Sequence, residues 1–297
     1  MEVSSGVIVD SHVHLWNAAH TPQPWTTPEM EVIRRSFGPA DLKPLLDRNG
    51  IDAAVLVQGA CLDSDTDYLC EEADRQEWIA AVTVWLPLDD PARTRRRLAA
   101  LRRWPKVRGV RHLIQDESDP HWIMRDTVLE SLELLEDEGV VLELPAVYPR
   151  HFDDVPRLAM LFPRLVLVID HLGKPPLAAG GLAKWEEKLR AAAEAQNVYA
   201  KVSGLNTALS RDDWTADDFV AAADVALRAF GADRLMCGTD WPVALLNGDY
   251  DRVWKALKQV VATVAPDNAE LLLGGTAARI YQFEDTTFED TTGVQPG

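Results

Sequence analysis

The segment VIVDSHVHLW, residues 7–16, begins as an apolar run and ends in two histidines, His12 and His14, one residue apart. Val and Ile suit a pleated, buried surface, so GVIVDSH (6–12) reads as a short strand with both faces covered. Seven more runs of this kind follow: DAAVLVQ (52–58), IAAVTVW (79–85), KVRGVRH (106–112), GVVLELP (139–145), RLVLVID (164–170), VYAKVSG (198–204) and RLMCGTD (234–240). Their starts lie roughly 25 to 46 residues apart, and most gaps hold an amphipathic stretch long enough for a helix. Three of these stretches, DLKPLLDRNG (41–50), TVLESLELLEDEG (127–139) and DDFVAAADVALRAFG (217–231), end in a glycine suited to a helix C-terminus. Strand and helix alternating eight times predict an α/β fold of the closed (β/α)8 barrel type. An open doubly wound sheet is the rival, but neither GxGxxG nor GxxxxGK[ST] occurs.

The chain has 297 residues, a common size for one large barrel. A single domain is expected over residues 1–283, followed by a mobile acidic tail at 284–297, where FEDTTFEDTTGVQPG lacks apolar periodicity. The first gap is the longest. Its segment WNAAHTPQPWTTPEMEVIRRSFGPA (16–40) has four prolines and two tryptophans, and reads as a lid or binding loop.

A formal charge of −17 repels phosphates and anionic lipid, so neither nucleic acid nor membrane is an expected partner. No apolar stretch approaches the ~20 residues of a membrane span. The basic cluster RTRRRLAALRRW (93–104) carries leucines at helical spacing and reads as a solvated helix face. Cys61, Cys70 and Cys237 are odd in number and lack zinc-type spacing; together with an opening, MEVSSG, that shows no signal pattern, they lead to an expected cytoplasmic location.

In a parallel barrel the loops after the strands form one mouth, where active sites sit. The strand ends present His12 and His14, Gln58, Trp85, Arg111 with His112, Glu143, Asp170 with His171, Ser203, and Asp240 with Trp241. Alternation puts His12 and His14 on one face, with Asp10 one step deeper. Two imidazoles leaning toward one point suit a divalent ion; a pair hydrogen-bonded to neighbours is the structural alternative. His171 and Asp240 end two late strands and face the same mouth. Asp240 is the best base for activating water, with or without an ion. Gln58 and Ser203 also read as strand caps, Trp85 and Trp241 as packing, and Glu143 as a ligand, an acid or a backbone partner. Of the consecutive Arg111 and His112, one points inward. Lys174 is expected to be solvated, and His20, His121 and His151, in loops or at helix starts, to take no part in the site.

The segments VDSHVHLW, VQGACLDSDTDYL, GVRHLIQDESDP, VIDHLGKPP, AKVSGLNT and CGTDWPVALL, in this order, resemble the small-lactone hydrolases of the amidohydrolase superfamily, a branch that includes L-fuconolactonase, L-rhamnonolactonase and sulfomuconolactonase. The resemblance spans nearly the whole chain and implies hydrolysis of an intramolecular ester. It matches His12 and His14 to a first-strand HxH, His171 to a sixth-strand histidine, Asp240 to an eighth-strand aspartate, and Arg111 or His112 to a substrate contact. With the other strand ends, the expected site has His12, His14 and Asp240 at a metal, His171 and His112 beside Asp240 in catalysis, and Gln58, Trp85, Arg111, Glu143 and Trp241 at the substrate. The resemblance implies one divalent ion, zinc before others, although a relative works without one. It also implies a small lactone as partner and a monomer or homodimer. The chain departs from the sugar lactonases at Glu143 and Pro145, and at Thr276, where an Asn is usual. Two other readings are a decarboxylase of the same superfamily, which would add a histidine at the end of strand five, and a non-catalytic binding protein.

Overall fold

Each apolar run becomes a strand in the computed structural model, which describes residues 6–177 and 181–283; the expected tail at 284–297 lies outside the described residues. The strands are β1 (Val9–Val13), β2 (Ala53–Val57), β3 (Ile79–Val84), β4 (Val107–Arg111), β5 (Val141–Leu144), β6 (Leu167–Ile169), β7 (Val198–Val202) and β8 (Leu235–Cys237). They pair in parallel in the order of the chain. After them come α1 (Pro39–Asn49), α2 (Asp63–Arg75), α3 (Pro91–Leu101), α4 (Asp126–Glu138), α5 (Asp154–Leu161), α6 (Leu182–Ala193), α7 (Asp217–Phe230) and α8 (Tyr250–Val264), and a short α9 (Thr276–Ile280) ends the fold. The architecture is the (β/α)8 barrel.

The sheet closes where β1 meets the segment after β8. His14 N donates to Trp241 O at 2.7 Å and Asp240 N to His12 O at 2.8 Å. Asp10 fastens this seam: it accepts from Thr239 N at 2.9 Å, Thr239 Oγ1 at 2.6 Å and Tyr250 OH at 2.8 Å. It therefore does not join the histidines of the mouth, and the register of β1 shifts between Asp10 and Val13.

Strand alternation divides the core. One set of side chains packs under the helices. The other, including Val55, Val141, Val168 and Met236, packs with Tyr281 and Phe283 from the end of α9. Thr83, Glu143, Asp170 and Lys201 share the parity of this second set, which turns their polar groups toward one another. Gly50 and Gly139 take the left-handed cap, whereas Gly231, at φ 77 and ψ 165, leads instead into a 3-10 turn at Ala232–Arg234.

The long first loop is well packed. Trp16 and Phe37 exchange backbone hydrogen bonds at 3.0 and 2.9 Å, Phe37 meets Trp241 edge-on, and Trp25 Nε1 donates to Gly59 O at 2.8 Å. The basic cluster lies on α3, where Arg97 pairs with Asp63 at 3.0 Å and Asp67 at 2.9 Å on α2. Among the described residues, no helix is long and apolar enough to cross a membrane.

Candidate active site

A cavity of about 380 Å³ opens at the C-terminal end of the strands. Its floor holds His14, Arg111, His171 and Asp240; Trp25 and Met30 of the first loop and Val243 and Leu246 after β8 form apolar walls, and Gln115, Asp116 and Lys174 a polar one. The backbone bends sharply to aim the floor residues. His171, Leu172 and Lys174 after β6 and Asp240 after β8 all have φ between 50 and 62. Residues with a Cβ rarely adopt this region, and each such residue costs on the order of 1–3 kcal/mol. Strained residues of this kind gather at functional sites.

Three imidazoles converge on one carboxylate oxygen. Asp240 Oδ1 lies 3.1 Å from His14 Nε2, 3.6 Å from His12 Nε2 and 4.0 Å from His171 Nε2. Burial by itself would raise the pKa of Asp240, but His171, His14 and His12 together hold its carboxyl well below the usual range. Burial holds the imidazoles of His12 and His171 below theirs. His171 Nδ1 is fixed by Ser203 Oγ at 2.8 Å, and His14 Nδ1 donates to Val57 O at 2.7 Å. His14 Nε2 then faces Asp240 Oδ1 at 3.1 Å.

The donor chemistry fits a divalent ion. His12, His171 and Asp240 offer three atoms within 4.8 Å of one another. Around them the buried Arg111 and Lys201 stand against the buried carboxyl groups of Asp170 and Glu143. His14, the other expected ligand, lies beside this group, its Nε2 3.1 Å from Asp240 Oδ1.

Of the consecutive pair, Arg111 points inward. Its Nη1 donates to Asp170 Oδ2 at 2.9 Å and approaches His12 Nε2 at 3.4 Å, while Nη2 donates to the Gln58 carbonyl. His112 turns outward: it stacks on Trp122 with centroids 4.0 Å apart, accepts from Trp85 Nε1 at 3.1 Å and meets Glu117 at 2.8 Å. Both ring nitrogens are thereby engaged away from the cavity.

The expected substrate contacts divide similarly. Trp85 belongs to the His112 cluster. Gln58 is fully buried against Arg111, its Nε2 3.4 Å from the Arg111 carbonyl, and Trp241 is buried under the first loop. Glu143 lies beneath the floor, held by Lys201 Nζ at 2.6 Å, Thr83 Oγ1 at 2.6 Å and Tyr281 OH at 2.5 Å; Pro145, two residues on, lines the cavity instead. Lys174 lines the cavity rim, its Nζ 3.2 Å from Gln115 Oε1. Lys201 escaped attention because it lies inside β7, before the strand end. The signal was present: a lysine within the apolar run VYAKVSG.

A (β/α)8 barrel whose mouth joins the HxH pair of the first strand, a histidine after the sixth and an aspartate after the eighth defines a class built for attack by water on a polarised bond. The profile of the Amidohydrolase family matches residues 9–283, and the chain belongs to that family. It is 36% identical to an L-fucono-1,5-lactonase of Burkholderia ambifaria, over 93% of this chain and 96% of the relative. An L-fucono-1,5-lactonase of Burkholderia multivorans is 34% identical, over 92% and 95%. Among solved structures, an amidohydrolase from Burkholderia multivorans with bound zinc superposes with a TM-score of 0.86 at 34% identity, covering 93% of this chain and 99% of that one. A 2,6-dihydroxybenzoate decarboxylase from Rhizobium, at a TM-score of 0.63 and 15% identity, shares the fold.

Proposed function

We propose that the chain is a lactonase that opens a small sugar-acid lactone of the L-fuconolactone kind. The observation that carries this reading is the convergence of three imidazoles on the Asp240 carboxylate at the base of a ligand-sized cavity. The named relatives support the substrate class. Zinc, held by His12, His171 and Asp240, is the proposed ion; when bound it would polarise the ester carbonyl or acidify water. Carbohydrate metabolism in the cytoplasm is the proposed setting.

In this mechanism the lactone enters against Trp25 and Met30 and rests its carbonyl over the floor. Asp240, ionised at working pH, accepts a proton from the attacking water as the new C–O bond forms. The guanidinium of Arg111 faces the oxyanion and stabilises its charge. The ring C–O bond then breaks, and the proton held by Asp240 passes to the departing alkoxide, giving the open hydroxy acid. Because Asp240 is held strongly acidic, it returns the proton readily.

The test is a screen of sugar and muconate-type lactones followed by acid release, with and without chelator. Asp240→Asn should keep its circular dichroism and lose about 10²- to 10⁴-fold in turnover. A near wild-type rate in that variant, or no lactone turned over by the wild type, ends the proposal.

A further inference from the structure

The two sides of the cavity differ in kind. Because β1 and β8 meet at the seam, Trp25 and Met30 of the first loop and Val243 and Leu246 after β8 form one apolar wall. The turns that carry most of it, Pro28–Ile33 and Val243–Asn247, pack on each other. Across the mouth, the turn after β4 supplies Gln115 and Asp116, and the turn after β6 supplies Lys174. Charges on this side are already matched. Lys174 Nζ donates to Gln115 Oε1 at 3.2 Å; burial raises the Asp116 carboxyl, and the nearby Lys174 ammonium works against that rise. Arg111 is committed to Asp170 Oδ2 and the Gln58 carbonyl. The lysine and arginine of the lining thus stand against two aspartates, Asp116 and Asp240, in a chain whose formal charge is −17.

We propose that Asp116 is a specificity-determining residue: it accepts hydrogen bonds from the hydroxyls of an uncharged lactone, repels lactones that carry a free carboxylate, and favours departure of the carboxylate product. A pocket for a carboxylate offers a guanidinium fork or an unmatched cation, and this rim presents neither. Hydroxyls need donors and acceptors side by side. Here Asp116 accepts, Lys174 donates, and Gln115 does both. Hydrolysis also changes the sign of what the cavity holds. Water oxygen bonds to the carbonyl carbon, the ring C–O bond breaks, and the new acid gives its proton to solvent, so a neutral ester becomes an anion. That charge has the sign of Asp116 and of the whole chain, which opposes its retention. The inference rests on the lactonase reading and adds to it which ligand charge the mouth accepts, and through which side chain.

Asp116→Asn keeps the shape of the side chain and removes its charge. Calorimetric titration with L-fuconate, the anion that opening of L-fuconolactone yields, should show about fivefold tighter binding in the variant than in the wild type. That gain should shrink in about 0.5 M salt, and the uncharged alditol L-fucitol should show no gain. In initial rates, kcat/KM for muconolactone, which carries a carboxylate, should rise about fivefold in the variant, while that for L-fuconolactone does not rise. Equal or weaker L-fuconate binding in Asp116→Asn, or a gain shared equally by L-fucitol, overturns the proposal; so does a wild type that prefers muconolactone to L-fuconolactone. Titration needs no turnover. A wild type that opens no lactone therefore ends the lactonase reading, whereas an L-fuconate affinity unmoved by Asp116→Asn ends this inference and leaves that reading standing.

Discussion

Gly204 shows how tightly the floor is built. A Cβ placed there would lie 2.8 Å from His171 Nδ1 and 2.9 Å from Asp240 Oδ2, and its φ is +61. Gly204→Ala should therefore lower stability by about 1 kcal/mol or more and depress turnover together, measured by thermal melts and initial rates; an active, equally stable variant would contradict this geometry. Asp65 supplies a pH prediction. It is buried, accepts from Gly59 N at 3.0 Å, and burial pushes its carboxyl up to about 6. Between the unfolded value of about 3.9 and 6 the folded chain holds more protons than the unfolded one, so this group's contribution to stability falls as pH rises through that window and is level above it. Asp65→Asn does not titrate, so its stability relative to wild type should climb from pH 4 to pH 6, by up to about 3 kcal/mol, and then stay constant. Melting curves of both proteins across pH 4–7 check this; a gap that ignores pH refutes it.

At the scale of elements, the first loop forms a wall of the cavity. Trp25 faces the pocket and ties the loop to the end of β2 through Gly59. Trp25→Ala should raise KM about tenfold while kcat changes little, because the side chain contacts substrate away from Asp240; an unchanged KM would place the substrate elsewhere. The eight strands could be read in the sequence because strands covered on both faces give uninterrupted apolar runs, whose period is hard to mistake when it recurs eight times. His12, His14, His171 and Asp240 stood out because polar residues interrupt those runs where they end. What the pattern hid was direction. The register shift in β1 sends Asp10 to the seam, the turn after β4 sends His112 outward to Trp122, and Glu143 precedes the last residue of β5, so it points at Lys201 below the floor. Such choices depend on contacts between strands far apart in the chain, and local spacing does not report them.

For the whole molecule, a polar column links one end of the barrel to the other. Tyr281, carried by the turn after α9, donates to Glu143, which receives Lys201, which faces His12. Tyr281→Phe deletes the lowest bond and leaves Glu143 Oε1 with Thr83 as its remaining partner. It should cost about 1–2 kcal/mol, read from denaturant midpoints, with a smaller loss if water replaces the hydroxyl. The same column joins residue 12 to residue 281. On a translating ribosome, the histidines emerge first, yet the carboxylate anchoring their supporting lysine stays incompletely tethered until the last described turn has cleared the exit tunnel. Nascent chains should therefore lack a finished catalytic floor until Tyr281 has emerged and docked, and should hydrolyse nothing before then.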